Sequence, residues 1–280
     1  MKELSTNLIT QHIRDLCIQA NEQLPTDVAG CIAACHMSEP WAPAKETLGQ
    51  LLENMEIAAQ ERLPICQDTG MSCVFLELGQ DVRIVGGDLY EAVHEGVRRG
   101  HVEGYLRKSI VADPLRRVNT EDNSPAMIHV EIVPGDQLTI TVAPKGGGSE
   151  NMSRLAMLPP SAGRDGVLEF VVETVRLAGP NPCPPVVVGV GIGGNFDKVA
   201  YLAKKALLRP LNQPSPDTYY RDMEAELLTR INALGIGPQG FGGQSTALGV
   251  NIETYPTHLA GLPVAVNLGC HVTRRAEVTL

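Results

Sequence analysis

Residues 184–209 read PPVVVGVGIGGNFDKVAYLAKKALLR, and no other stretch limits the fold as much. Val186 to Ile192 is a short apolar run without polar alternation, the mark of a buried strand. Glycines follow, and then a helix that starts near Asn195 or Phe196. Gly189, Gly191 and Gly194 fit the spacing G-x-G-x-x-G, which invites a dinucleotide site. The acidic residue expected about twenty positions further on is missing, because that region reads LRPLNQPSPD. The glycines are better read as letting backbone pass close to something else.

The rest of the chain mixes both periodicities. Residues 4–60 look helical, with Leu4, Ile9, Ile13, Leu16, Cys17 and Ala20 at helical spacing. SCVFLEL (72–78) and DVRIV (81–85) read as strands around a glycine-containing turn, and a helix starts near Asp88. MIHVEIVPGDQLTITVAPK reads as a β-hairpin turning at Pro134-Gly135-Asp136. Helices are expected over 164–178 and 216–234, and two short strands in TALGVNIE and LPVAVNL. The fold class is therefore α+β, a mixed α/β body with a helical N-terminal layer on mixed, largely antiparallel sheets. The expected division is a helical layer over 1–60 and a body over 61–280, together one continuous domain of the 280 residues.

Charge removes one class of partner. The formal net charge is -9, and binding phosphate backbones needs a basic face. No signal peptide and no membrane span is read, so a cytoplasmic protein is expected. Seven scattered cysteines argue against a disulfide framework in that compartment. Cys17, Cys31, Cys35 and Cys73 lie in apolar surroundings and read as packing; Cys31 and Cys35, with His36, make only an incomplete metal site. Cys66, Cys183 and Cys270 differ, because each sits at an element end in a Pro- or Gly-marked context: LPICQDTG, GPNPCPPV and NLGCHVTRR. Irregular backbone beside a buried strand is where ligand residues are commonly displayed. The spacing alone does not bring the three together. In PKGGGSENMS, Gly146-Gly147-Gly148 reads either as an anion-binding nest at positive φ or as a flexible exit from the hairpin.

Taken in order, CQDTG, GYLRKSIVADPL, NTEDNSPA, KGGGSEN, NPCPPVVVGVGIGGNFDK, LGIGPQGFGGQSTALGVNIE and NLGC with RRA resemble the iron–sulfur class I fumarate hydratase and L-tartrate dehydratase family. The likeness runs from about residue 45 to 276 and is to the α-subunit, the N-terminal catalytic half. It implies a hydro-lyase with a [4Fe–4S] cluster on Cys66, Cys183 and Cys270. A cubane normally takes four cysteines, so three leave one iron open as a Lewis acid. It implies further that Asp68 moves protons at the substrate oxygen and that His258 lies near the substrate. Gln67, Arg107, Gly147 and Gly148 would bind substrate, with Asn123 and Lys145 as lesser candidates. A separate β-subunit would complete the site in a heteromer, with an α–α contact as a further expectation. KGGGSEN, YLRKS and TALGVNIE look more like the fumarase branch, so fumarate hydration to malate, a step of the tricarboxylic acid cycle, is the expected reaction. Tartrate or a methylated fumarate is the alternative. A non-enzymatic iron–sulfur or zinc-binding protein is the alternative from a different class.

Overall fold

The computed structural model describes residues 2–280. The chain forms two compact units, and both are discontinuous. Unit 1 takes the chain to Pro25, then Met55–Gly147 and Arg274–Leu280; unit 2 takes Thr26–Asn54 and Gly148–Thr273. Residues 1–60 are thus shared between them.

Unit 1 opens with β1 (Lys2–Ser5) and α1 (Thr6–Glu22). The Ser5 side chain caps α1 by accepting the Leu8 N–H, which supplies one of the donors a helix start leaves unmet. β2 (Met71–Gly79), β3 (Val82–Val85) and α4 (Leu89–Glu103) follow, and the Asp88 carboxylate caps α4 through the Glu91 N–H. β4 (Met127–Val133), β5 (Leu138–Lys145) and β10 (Ala276–Thr279) complete the unit. Ile9, Ile13, Leu16 and Cys17 of α1 join Val93 and Val97 of α4 in one core with Val74, Leu76, Ile140 and Val142 of the sheet. This is the helical spacing 9, 13, 16, 17, 20 doing what an amphipathic stripe does.

The strands expected over 71–85 and 127–145 form, but they pair differently. β4 and β5 do not make a hairpin. The sheet order is β10-β5-β2-β4, so β2 lies between them, parallel to β4 and antiparallel to β5. β3 does not fold back on β2 but pairs in parallel with β1. The reason is burial: β2 carries the run Ser72 to Leu76 with every residue buried, and only a central position covers it on both edges.

Unit 2 contains α2 (Thr26–Ser38) and the first part of α3 (Ala42–Glu61). Its sheet has the order β6-β9-β7-β8, from β6 (Arg154–Leu158), β7 (Val186–Gly193), β8 (Ala247–Tyr255) and β9 (Leu262–Gly269). The short turn of helix α5 (Gly147–Glu150) enters the unit, followed later by α6 (Gly163–Ala178), α7 (Phe196–Ala206) and α8 (Thr218–Asn232). All eight residues of β7 are buried. Val186, Val188, Val190 and Ile192 meet Leu168, Val171, Met223 and Leu227 of α6 and α8. Gly189 and Gly191 face α7, where an added Cβ would come within 2.2 Å of the Ala203 carbonyl and 2.3 Å of the Val199 carbonyl. The glycine spacing is therefore a groove for a helix lying on the strand.

Glu39, only 3% exposed, closes the region after α2. It accepts the N–H groups of Trp41, Gln244 and Ser245 and the Ser245 hydroxyl. Burial alone would push its pKa up; the hydrogen bonds from Ser245, Gln244 and Trp41 outweigh that and hold it below the usual carboxylate range.

Candidate active site

The stretch Cys66-Gln67-Asp68-Thr69-Gly70 leads directly into β2. Its side chains are held in distinct ways. The Cys66 thiol donates to the Gln67 Oε1 at 3.3 Å. Asp68 is gripped on both oxygens: the Gly70 N–H reaches Oδ1 at 3.1 Å and the Gly147 N–H reaches Oδ2 at 2.8 Å. Its main-chain carbonyl accepts Nη2 of Arg274 at 2.6 Å, and Arg274 is only 4% exposed. Buried Thr69 ties the stretch to Arg107, accepting the Arg107 N–H at 2.9 Å and donating to the Arg107 carbonyl at 3.3 Å. A carboxylate, an arginine and their backbone supports thus share one frame within unit 1.

The triple glycine departs from the expected nest. None of Gly146, Gly147 and Gly148 has positive φ, and the last two open the short helix α5 instead. Their lack of side chains serves Asp68: a Cβ on Gly146 would lie 3.1 Å from Oδ2. The resemblance assigns the Gly147 amide to substrate, but in this structure it donates to Asp68.

In unit 2, the segments that carry two of the three marked cysteines meet through the backbone. The His271 N–H donates to the Cys183 carbonyl at 3.2 Å, which joins the residue after Cys270 to the loop before β7. Cys183 has φ 55, a left-handed conformation that costs a non-glycine residue about 1–2 kcal/mol. Strain of this kind persists where the surroundings or a function enforce it. The Gln239 amide adds a 2.8 Å bond to the Pro184 carbonyl. Cys66 belongs to unit 1. Among the described residues no group of three or more His, Cys, Asp or Glu side chains is gathered as a metal site. The donor set still suits an iron–sulfur cluster in kind, with three thiols on irregular, hydrogen-bonded backbone. His258, exposed in the turn between β8 and β9, accepts the Ala260 N–H at 3.1 Å on Nδ1.

Three residues carry more of the frame than sequence reading gave them. Thr69 and Arg274 entered only as members of the CQDTG and RRA segments, with no role assigned, and His101 drew no notice. His101 is 1% exposed and bonds Ser72, Asn123 and the Arg107 carbonyl. Burial drives its pKa down from 6.5 to about 4, opposed by the Arg107 carbonyl. An unfolded chain takes up this proton near pH 6.5, the folded chain only near 4. Folding stability should therefore fall as pH drops from 6.5, with the loss complete below 4 at about 3 kcal/mol. Urea unfolding across that range, with and without His101→Phe, should show the step vanish in the variant.

The family of the chain follows from comparison with known proteins. The profile of the family Fumarate hydratase (Fumerase) matches residues 10–279, and the chain belongs to that family. It is a hydro-lyase. Among curated relatives, "Putative L(+)-tartrate dehydratase subunit alpha" of Methanocaldococcus jannaschii is 41% identical over 274 residues, covering 96% of each chain. The L(+)-tartrate dehydratase subunit alpha of Escherichia coli strain UTI89 is 33% identical, covering 99% of this chain and 92% of its own. That of Shigella sonnei is 32% identical with the same coverage. These names side with tartrate, against the fumarate preference drawn from KGGGSEN, YLRKS and TALGVNIE. No helix among the described residues is long and apolar enough to cross a membrane.

Proposed function

We propose that the chain is the α-subunit of an L(+)-tartrate dehydratase, removing water from a 2-hydroxy dicarboxylate with a β-subunit completing the site. The observation that carries the reading is the Asp68 carboxylate, held between two backbone N–H groups and tied through Thr69 to Arg107. The choice of tartrate is supported by the names of relatives that cover nearly the whole chain. Fumarate hydration is the second reading, favoured by the family description and by the YLRKS and KGGGSEN segments.

In this reading Cys66, Cys183 and Cys270 hold a [4Fe–4S] cluster. When bound, such a cluster supplies a Lewis-acidic iron that weakens the bond to a departing hydroxyl. Arg107 binds one substrate carboxylate through a paired, charge-assisted contact. Asp68 carries a proton to or from the oxygen that leaves as water. A substrate carboxylate competes for the Gly147 N–H, which loosens Oδ2 of Asp68 for that transfer. Gln67, Gly148 and His258 line the same substrate.

Two measurements test the reading. The chain co-expressed with its β-partner and reconstituted without oxygen should convert L(+)-tartrate faster than malate, fumarate or a methylated fumarate. Faster fumarate hydration would select the second reading, and metal without turnover of any of them would reject both. Cys183→Ser should leave the fold intact and drop iron and acid-labile sulfide from about four per chain, the cubane content, toward zero. Full iron in that variant would remove Cys183 from the ligand set.

A further inference from the structure

His101 lies near the end of α4, and its partners decide where its proton sits. The Asn123 Oδ1 accepts the Ser109 N–H at 2.6 Å, and its Nδ2 donates to the Gly70 carbonyl at 3.1 Å. A fixed donor and a fixed acceptor thus set the orientation of that amide. The same Nδ2 lies 3.0 Å from Nε2 of His101. A donor faces Nε2, so Nε2 accepts and the proton belongs on Nδ1. Nδ1 in turn lies 3.3 Å from the Arg107 carbonyl, which can only accept.

Burial raises the Cys17 pKa to about 12, so this residue stays a thiol and can donate to Ser72 Oγ at 3.9 Å. The Ser72 hydroxyl lies 3.1 Å from the same Nε2. The polar groups facing the imidazole are Ser72 from β2, and Asn123 and Arg107 from the segment after α4, with Cys17 of α1 in contact with Ser72. A second proton on the ring would point at the Asn123 amide hydrogens, and burial opposes it as well.

We propose that His101, neutral and protonated on Nδ1, is a positioning residue that fixes the Arg107 main chain against the Thr69–Gly70 turn and so sets where the Arg107 side chain stands relative to Asp68. Arg107 itself is exposed, so its backbone anchors carry the placement. His101 and Thr69 both donate to its carbonyl, and Asn123 links the ring to Gly70. The inference rests on the reading that Asp68 and Arg107 act on one dicarboxylate, and it names a group that does not itself touch substrate.

The test uses the full chain, alone and reconstituted with its partner subunit. In the chain alone, nitrogen NMR should show His101 as the neutral Nδ1–H tautomer at pH 6, and His101→Phe should speed exchange of the Arg107 amide by about tenfold or more. In the active complex, His101→Phe should raise KM for the dicarboxylate about tenfold with a smaller change in kcat. His101→Asn, whose amide can replace the Nδ1–H donor, should recover most of that loss. Should the Phe variant not fold, His101→Gln, which keeps an acceptor but moves the donor, takes its place in both measurements. An Nε2–H tautomer overturns the proposal, as does a folded variant with unchanged Arg107 exchange and unchanged KM. If the wild-type complex turns over no dicarboxylate, the functional reading fails, and the tautomer and exchange results still decide whether His101 holds Arg107.

Discussion

Replacing Asp68 with asparagine should lower turnover by about 10²–10⁴-fold, the range for a positioned proton-transfer group, while the chain keeps its fold and its iron. The expectation comes from how the carboxylate is held. Each oxygen accepts one backbone N–H, from Gly70 and from Gly147. Asparagine keeps one acceptor and turns an NH₂ toward the other N–H. Asp68 is only half-buried, so water can relieve part of that conflict. The fold should therefore survive, and what is lost is a group able to take and return a proton. Measuring kcat beside iron and sulfide content separates the two outcomes. Retained turnover with a full cluster would take Asp68 out of the chemistry.

Around the Asp68 turn, the largest loss of stability from a single methyl group should come at Gly70. Its φ is +72, where a Cβ is strained by about 1–2 kcal/mol. That Cβ would also stand 2.6 Å from both the carbonyl carbon and the oxygen of Lys145, and 2.9 Å from the Gly146 nitrogen. These are backbone atoms, at the end of the ladder where Met71 pairs with Lys145, and they cannot rotate away. Gly70→Ala should cost about 3 kcal/mol or more. Gly135→Ala is the control, with φ +103 but nothing within 4 Å of the new Cβ, so only the conformational cost of about 1–2 kcal/mol applies. Urea unfolding of the two variants makes the comparison. Equal, small losses would mean that the crossing of the Asp68 turn and the β5 exit is looser than its geometry indicates. Because this crossing also sets Asp68 against Gly147, residual folded Gly70→Ala protein should be impaired in turnover too.

What could be read in the sequence follows what is local. Asp88 and Asn195 mark the starts of α4 and α7, because a cap acts on a donor three residues away. Alternation showed that 127–133 and 138–145 are strands, but alternation does not name a partner. The hairpin failed because β2, more than fifty residues earlier, is apolar enough to claim the central place. β1, β6 and β10 were missed as short strands of four or five residues whose pairing is decided by the strands they join. The site divides in the same way. Cys66, Asp68, Arg107 and Gly147 stand in compact motifs. Their supports do not: Arg274 reaches Asp68 from the far end of the chain, and the His101 partners come from positions 72, 107 and 123. A lone histidine in GHVEG carries no pattern that announces such a place.

The interleaving of the two units has a consequence for how the protein is made. Unit 1 is not finished until Arg274–Leu280 arrives, and those residues leave the ribosome after all of unit 2. Until then β5 lacks the strand that covers its outer edge, and the Asp68 carbonyl lacks the Arg274 guanidinium. The half-built sheet must wait through the synthesis of unit 2 with an apolar edge uncovered, a state that favours aggregation. A pause in synthesis after Thr273, when unit 2 is already complete, should therefore harm the yield of unit 1 more than that of unit 2, although most of unit 1 is encoded first.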